Sequence, residues 1–254
     1  FKTQLTLASA DVREVIQKRL LAKQEAEPEV LTDIYDREKD NLQTLFRFGD
    51  NSINLQGWRG SDEFCGFYPF HTYQFDLFQL AIQQLSKHGV FTGKYLSVGE
   101  RSMLGVFREV AIAIAARPVG QLATFDLMFE GIRTSLKAAI QSAIQVAEKN
   151  LGDEFAVSLL KALFLVKYVK GFKSTLRNLS VLMLDRFDQD IPALRKKIEA
   201  ALNLLEQQTY IQRNGDVYEY LTDEEKDIEQ EIKNTEVESS DVVAELERQV
   251  FDHV

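Results

Sequence analysis

The sequence predicts a mainly α-helical protein whose second half closes with a single β-hairpin. Three observations carry that expectation. Apolar residues recur at helical spacing through most of the chain. Gly and Asn punctuate the intervals between those stretches, and Asn214-Gly215, the strongest two-residue hairpin signal, is flanked by the short β-rich runs "YIQR" and "DVYEY".

Each element follows from its residues. "ADVREVIQKRLLAKQ" places Val12, Val15, Ile16, Leu20 and Ala22 on one side of an amphipathic helix. "EAEPEVLTDIYDREKDNLQTLF" continues after Pro28 with a second helix, continuous or broken, carrying Val30, Leu31, Ile34, Tyr35, Leu42, Leu45 and Phe46. "RFGDNSINLQGWRGSDEFCGF" is rich in Gly, Asn, Asp and Ser, a loop signature that breaks any long element. "YPFHTYQFDLFQLAIQQLSKHG" starts near Pro69 and ends on Lys87, His88 and Gly89, which match a helix C-terminus by charge and by cap. Its aromatic residues read as core packing. "GERSMLGVFREVAIAIAA" forms another helix, with Ser97 as its cap and Arg117-Pro118 as its end. "FDLMFEGIRTSLKAAIQSAIQVAEKNL" reads as one long helical segment stopped at Gly152.

Helices over "EFAVSLLKALFLVKYV" and "STLRNLSVLML" follow, separated by Gly171. The next, "QDIPALRKKIEAALNLLEQQT", has Asp190 as N-cap, Pro192 in its first turn and a buried stripe of Leu194, Ile198, Ala201, Leu202 and Leu205. Three helices and then a hairpin describe a winged helix. Acidic helices over "DEEKDIEQEIKN" and "SSDVVAELERQVF" close the chain.

Composition narrows the chemistry. One cysteine, Cys65, excludes internal disulfides and makes the reducing cytoplasm the expected compartment. His71, His88 and His253 share no metal-ligand spacing, so no structural metal is expected. Lysines interrupt the longest apolar runs, so no membrane span is expected. The N-terminus lacks both an initiator methionine and a signal-peptide pattern, and reads as a cut inside a longer protein. The formal charge of −9 resides in the tail, where residues 223–254 hold twelve acidic side chains against Lys226, Lys233 and Arg248. The rest of the chain is neutral overall.

"HGVFTGKYLSVGERSMLGVF" imitates a phosphate-binding loop but fails as one: Gly89 and Gly93 have the wrong spacing, Tyr95 follows Lys94, and a helix precedes it rather than a strand. Cys65 near His71 is a weak nucleophile–base pair, and no other catalytic motif occurs. The chain alone is therefore not expected to hydrolyse ATP. Basic residues are more informative. Arg195, Lys196 and Lys197 occupy the early turns of the third helix of the winged-helix pattern, Arg213 lies beside the wing tip, and residues 155–184 carry five cations without one acid. Among these, Lys170, Lys173 and Arg177 would share a face on a continuous helix. Such groups fit double-stranded DNA, with the helix in a groove and the wing on phosphate. Glu199, Glu206 and the acidic tail argue the other way, for a protein-docking module. A transcriptional regulator is a third reading, and it leaves the helical first half unexplained.

"YPFHTYQFDLFQLAIQQLSKHG", "SVGERSMLGVF" and "YEYLTDEEKDIEQEIKN" resemble segments of the large P-loop ATPase of the bacterial BREX phage-defence system, the BrxC/PglY type. The resemblance runs across nearly the whole chain. It implies an AAA+-like ATPase whose nucleotide-binding core lies upstream, followed by a helical lid and a winged helix. It divides the chain into 1–66 (end of the core and start of the lid), 67–152 (lid), 153–222 (winged helix) and 223–254 (acidic tail). The Walker motifs are missing, so ATP and magnesium belong to the parent protein, and no cofactor to this piece. Other BREX components and a homo-oligomer of the parent are the implied partners. Arg101 is then the candidate lid sensor of nucleotide state and Arg19 the candidate trans-acting arginine finger.

Overall fold

In a computed structural model, the described backbone covers residues 9–24, 27–49, 53–93 and 100–234. It is mainly helical, with one small antiparallel hairpin. The chain divides into two compact units, Phe1–Tyr220 and Leu221–Val254.

The first unit begins with α1 (Ser9–Val15), which widens into a π-helical turn over Ile16–Leu20. There the Leu21 amide reaches back to the Ile16 carbonyl at 3.0 Å, five residues away. The wider turn rotates the following residues: Val12, Ile16 and Leu21 are buried, while Val15 and Ala22, expected on the same face, are exposed. Helix α2 (Glu27–Leu45) is unbroken and buries Leu31, Tyr35 and Leu42. The glycine-rich stretch after it is not wholly loop, because residues Ser61–Phe67 coil into α3 and drive Phe64 and Phe67 into the core.

Helix α4 (Thr72–Lys87) starts three residues beyond Pro69, with His71 as its cap. The His71 Nδ1 accepts from the Tyr73 amide at 3.3 Å, and the Gln74 Oε1 accepts from the His71 amide at 3.0 Å. Gly89, at φ +65°, ends it in the left-handed conformation that glycine tolerates. Helix α5 (Glu100–Ile114) stacks Phe107 on Phe75 with centroids 4.2 Å apart. Ser97, the expected cap, lies outside the described residues.

The long helix expected over 125–151 is two helices. After a 3-10 turn (Phe125–Leu127), α6 (Met128–Arg133) stops, and α7 (Ala138–Asn150) starts after four intervening residues. Tertiary pairing takes the backbone between them: Thr92 N donates to Ser135 O and Lys137 N to Val90 O, both at 3.0 Å. A local helix cannot make those bonds as well.

Helix α8 (Glu154–Val166) is nearly all apolar and carries the Asp153 cap, whose Oδ1 accepts from the Phe155 and Ala156 amides. It packs against α10 (Ile191–Gln207) and against strand β2. Between them lies the short α9 (Leu176–Leu182), capped by Thr175. Strands β1 (Ile211–Asn214) and β2 (Val217–Tyr220) pair from Ile211–Tyr220 to Asn214–Val217. The two turn residues are thus Gly215 and Asp216, one position beyond the Asn-Gly centre the sequence suggested; Gly215 supplies the positive φ of +64°. Thr175 bridges Val217, and the Tyr218 amide donates to Ser174 O at 3.1 Å, so the segment before α9 borders the hairpin.

One hydrophobic core runs through this unit from Val12 to Tyr220 and draws on every helix from α1 to α10. In the second unit, α11 (Asp223–Asn234) begins with a reciprocal cap, the Thr222 amide donating to Glu225 Oε2 at 2.7 Å and the Glu225 amide to Thr222 Oγ1 at 3.3 Å. The expected second acidic helix lies outside the described residues. Among the described residues, no helix is long and apolar enough to cross a membrane.

Candidate nucleic-acid interface

The best-formed candidate surface is built on α10. Asp190 caps it through a 2.9 Å hydrogen bond from the Ala193 amide, and Pro192 sits in its first turn. Leu194, Ile198, Ala201, Leu202 and Leu205 are its buried residues, the stripe read from the sequence. With that stripe anchored on α8 and α9, Arg195, Lys196 and Lys197 project from the opposite arc, all exposed. Successive helical residues diverge by about 100°, so the three do not point the same way. Lys197 leans back over the Phe155 ring, 4.2 Å from its centroid, whereas Arg195 and Lys196 have no ion-pair partner among the described residues.

The hairpin positions a fourth cation. Arg213 is exposed on β1; its Nε donates to Gly215 O at 2.8 Å and its guanidinium lies 5.5 Å from the Tyr218 ring centroid. Those contacts hold the side chain at the tip. The bridge at Thr175 brings Lys173 to the hairpin edge, beside the strand that Arg213 faces.

The cation run of residues 155–184 is less uniform than its composition suggests. Lys170, Lys173 and Arg177 are exposed but share no helical face, because the chain leaves helix after α8 and Gly171 takes φ +83°. Arg177 lies on α9, with its Cδ 2.7 Å from where a Gly49 Cβ would stand. Lys161 is already neutralised, with Glu130 at 2.6 Å and Glu148 at 2.8 Å. Lys167 donates to the Tyr220 carbonyl at 2.6 Å, which fastens α8 to the hairpin.

Arg101 lies in the first turn of α5, and its side chain is outside the described residues. Lys94 and the rest of residues 94–99 are outside them too. Arg19 is exposed in the π-helical turn. No protein-family model matches the chain, and no solved structure matches it.

The nucleophile–base reading of Cys65 and His71 finds no geometric support. Cys65 Sγ lies 3.5 Å from Thr32 Oγ1 and 3.8 Å from Pro28 O, while the buried His71 ring packs on Trp58 and Phe46. Burial, and after it the Arg13 charge, hold His71 well below the ordinary imidazole pKa. Among the described residues no group of three metal-ligating side chains converges.

Two features escaped the sequence reading. Residues 47–48 and 53–59, from the stretch read as a break, line a pocket of about 470 Å³. An apolar cleft of about 500 Å³ opens between the π-helical turn, α2 and the end of α5, with Val30 and Val119 exposed at its edge. Both are assembled from segments far apart in the chain, and no local pattern marks them.

Proposed function

We propose that residues 153–222 form a winged helix that contacts the backbone of double-stranded DNA, within a larger ATPase of the BREX defence type. The carrying observation is the Thr175–Val217 bridge, which adds a third short edge to the hairpin directly before α9 and leaves α10 lying across α8 and α9 with its cations outward. Helix, edge, helix, helix and hairpin occur in the order that a winged helix requires. Arg195 and Lys196 would meet phosphates along the groove, with Arg213 and Lys173 at the wing contacting the flanking strand.

In this reading the first half acts as the lid of the parent ATPase, and Arg101, at the start of α5, reports nucleotide state. Replacing Arg101 with alanine should lower ATP turnover of the parent protein; unchanged turnover rejects that role.

The DNA reading is tested by fluorescence anisotropy of a labelled random-sequence duplex at two salt concentrations, beside an Arg195→Ala/Lys196→Ala/Lys197→Ala variant. Salt-sensitive binding is expected, with the salt slope reduced by about one for each phosphate contact removed. No binding at low salt rejects it. A second reading, a protein-docking platform, is favoured by the exposed Val30 and Val119 at the apolar cleft.

A further inference from the structure

The cleft between the π-helical turn, α2 and the end of α5 combines a fixed inner wall with an open mouth. Leu21, Leu31 and Ile114 form the inner wall and are buried. Lys23 Nζ donates to Leu21 O at 2.6 Å and to Tyr68 O at 2.9 Å, which ties the segment after the π-helical turn to the segment before α4. Ala22, Val30, Ala115 and Val119 also line the cleft and are exposed, Val30 by 53% and Val119 by 63%. A ligand therefore meets apolar surface that solvent already reaches, and no packed side chain has to move. The volume of about 500 Å³ lies within the range of small-ligand sites, about 300–1,000 Å³, which are mostly apolar with a few polar groups that fix orientation.

The polar side of the cleft is the turn after α5. Backbone bonds hold that turn: the Arg117 amide donates to Ile114 O at 2.9 Å and the Gln121 amide to Pro118 O at 3.3 Å. The Gly120 amide donates to the Tyr68 hydroxyl at 2.9 Å, and Gly120 takes φ +103°, a conformation open to glycine. The turn thus sets Arg117 and Gln121 in the wall. Arg117 is exposed, and among the described residues its guanidinium has no carboxylate partner. No aspartate or glutamate among the described residues lines the cleft. Its charge selects an anion, and a guanidinium fork matches the two oxygens of a carboxylate. Apart from Tyr68 the apolar lining is aliphatic, which suits a flexible alkyl chain rather than a flat ring.

We infer that the cleft binds a free single-chain carboxylate, its alkyl chain along the wall of Leu21, Leu31 and Ile114 and its head group on Arg117. The inference does not depend on DNA binding by α10.

The test titrates hexanoate, octanoate and decanoate into the full chain by calorimetry, with acetate and 1-octanol as half-ligands. Decanoate should bind with Kd below about 0.1 mM. Each pair of methylene groups removed should weaken binding about tenfold, and acetate should not bind at about 5 mM. Arg117→Ala alters only an exposed side chain; it should weaken decanoate about fivefold or more and leave 1-octanol unchanged, because the alcohol carries no charge for the guanidinium. Ala115→Trp brings a bulky ring into the mouth from an exposed position and should weaken decanoate at least about tenfold, with circular dichroism checking that the fold is kept. The inference is overturned if decanoate does not bind at about 5 mM, which leaves the cleft to a protein partner. It is equally overturned if acetate binds as tightly as decanoate, or if either variant binds decanoate unchanged.

Discussion

Two glycines on neighbouring helices should respond to the same substitution with opposite signs. Gly105 is exposed on α5, and a Cβ added there meets nothing within 4 Å. Gly105→Ala therefore gains helix propensity alone, about 1 kcal/mol of stability. Gly131 lies on α6 where it crosses α5, and its Cβ would stand 2.8 Å from Val106 Cγ2, 2.9 Å from Cγ1 and 2.9 Å from Val106 Cα. Carbon atoms in contact prefer roughly 3.5–4.0 Å. A rotamer change can move the methyl groups but not the Cα, so the two helices must separate. Such overpacking costs about 1–3 kcal/mol, against the same gain of about 1 kcal/mol in propensity. Gly131→Ala should be destabilising by about 1 kcal/mol, which puts the two variants about 2 kcal/mol apart. Urea unfolding followed by far-ultraviolet circular dichroism measures both. In a Val106→Ala background, which carries its own cavity cost, Gly131→Ala should cost less than in the parent but still destabilise, because the backbone contact remains. A Gly131→Ala midpoint at or above the parent's refutes the close packing of α5 on α6.

Two buried titratable groups give opposite pH dependences. His71 is held neutral by burial, so below its ordinary pKa of 6.5 the unfolded chain takes up a proton that the folded chain refuses. Stability should fall as pH drops below about 6.5, by up to about 1.4 kcal/mol per pH unit. His71→Asn keeps a capping side chain and should flatten that slope; an unchanged slope refutes the assignment. Asp126 is raised above its ordinary value chiefly by burial, partly offset by hydrogen bonds from Thr124 and Ser158, and its Oδ1 has no partner. The folded state then holds the proton more tightly, and stability is lost as pH rises from the unfolded pKa through the folded one. Asp126→Asn should stabilise the protein at pH 7 by on the order of 1 kcal/mol, with the advantage shrinking towards pH 4 in thermal unfolding. A less stable variant at pH 7 contradicts this.

Local signals determined a good part of this molecule. The Asp190 cap, the Pro192 start and the five-residue buried stripe of α10 are legible because helical period and capping depend on residues a few positions apart. The hairpin is legible for the same reason, and its one-residue shift reflects cross-strand register, which the turn dipeptide alone does not fix. The exposed cations of α10 follow from the stripe, since what is not turned inward faces solvent.

Only tertiary structure decided the rest. The strand-like pairing of residues 135–137 with 90–92 divides a segment whose own periodicity is helical throughout, because those backbone groups found partners 43 and 47 residues away. The π-helical turn moves Leu21 into the core in place of its neighbours, a rotation that strict 3.6-residue spacing does not anticipate. The basic run of residues 155–184 read as uniform, yet Lys161 is matched by Glu130 and Glu148 from two other helices. The aromatic pocket around Trp58 needs α2, a glycine-rich loop and the cap of α4 to converge. Sequence fixes what each short stretch prefers; which stretches meet is set by the burial of the shared core, and there the pocket and the neutralised charges were decided.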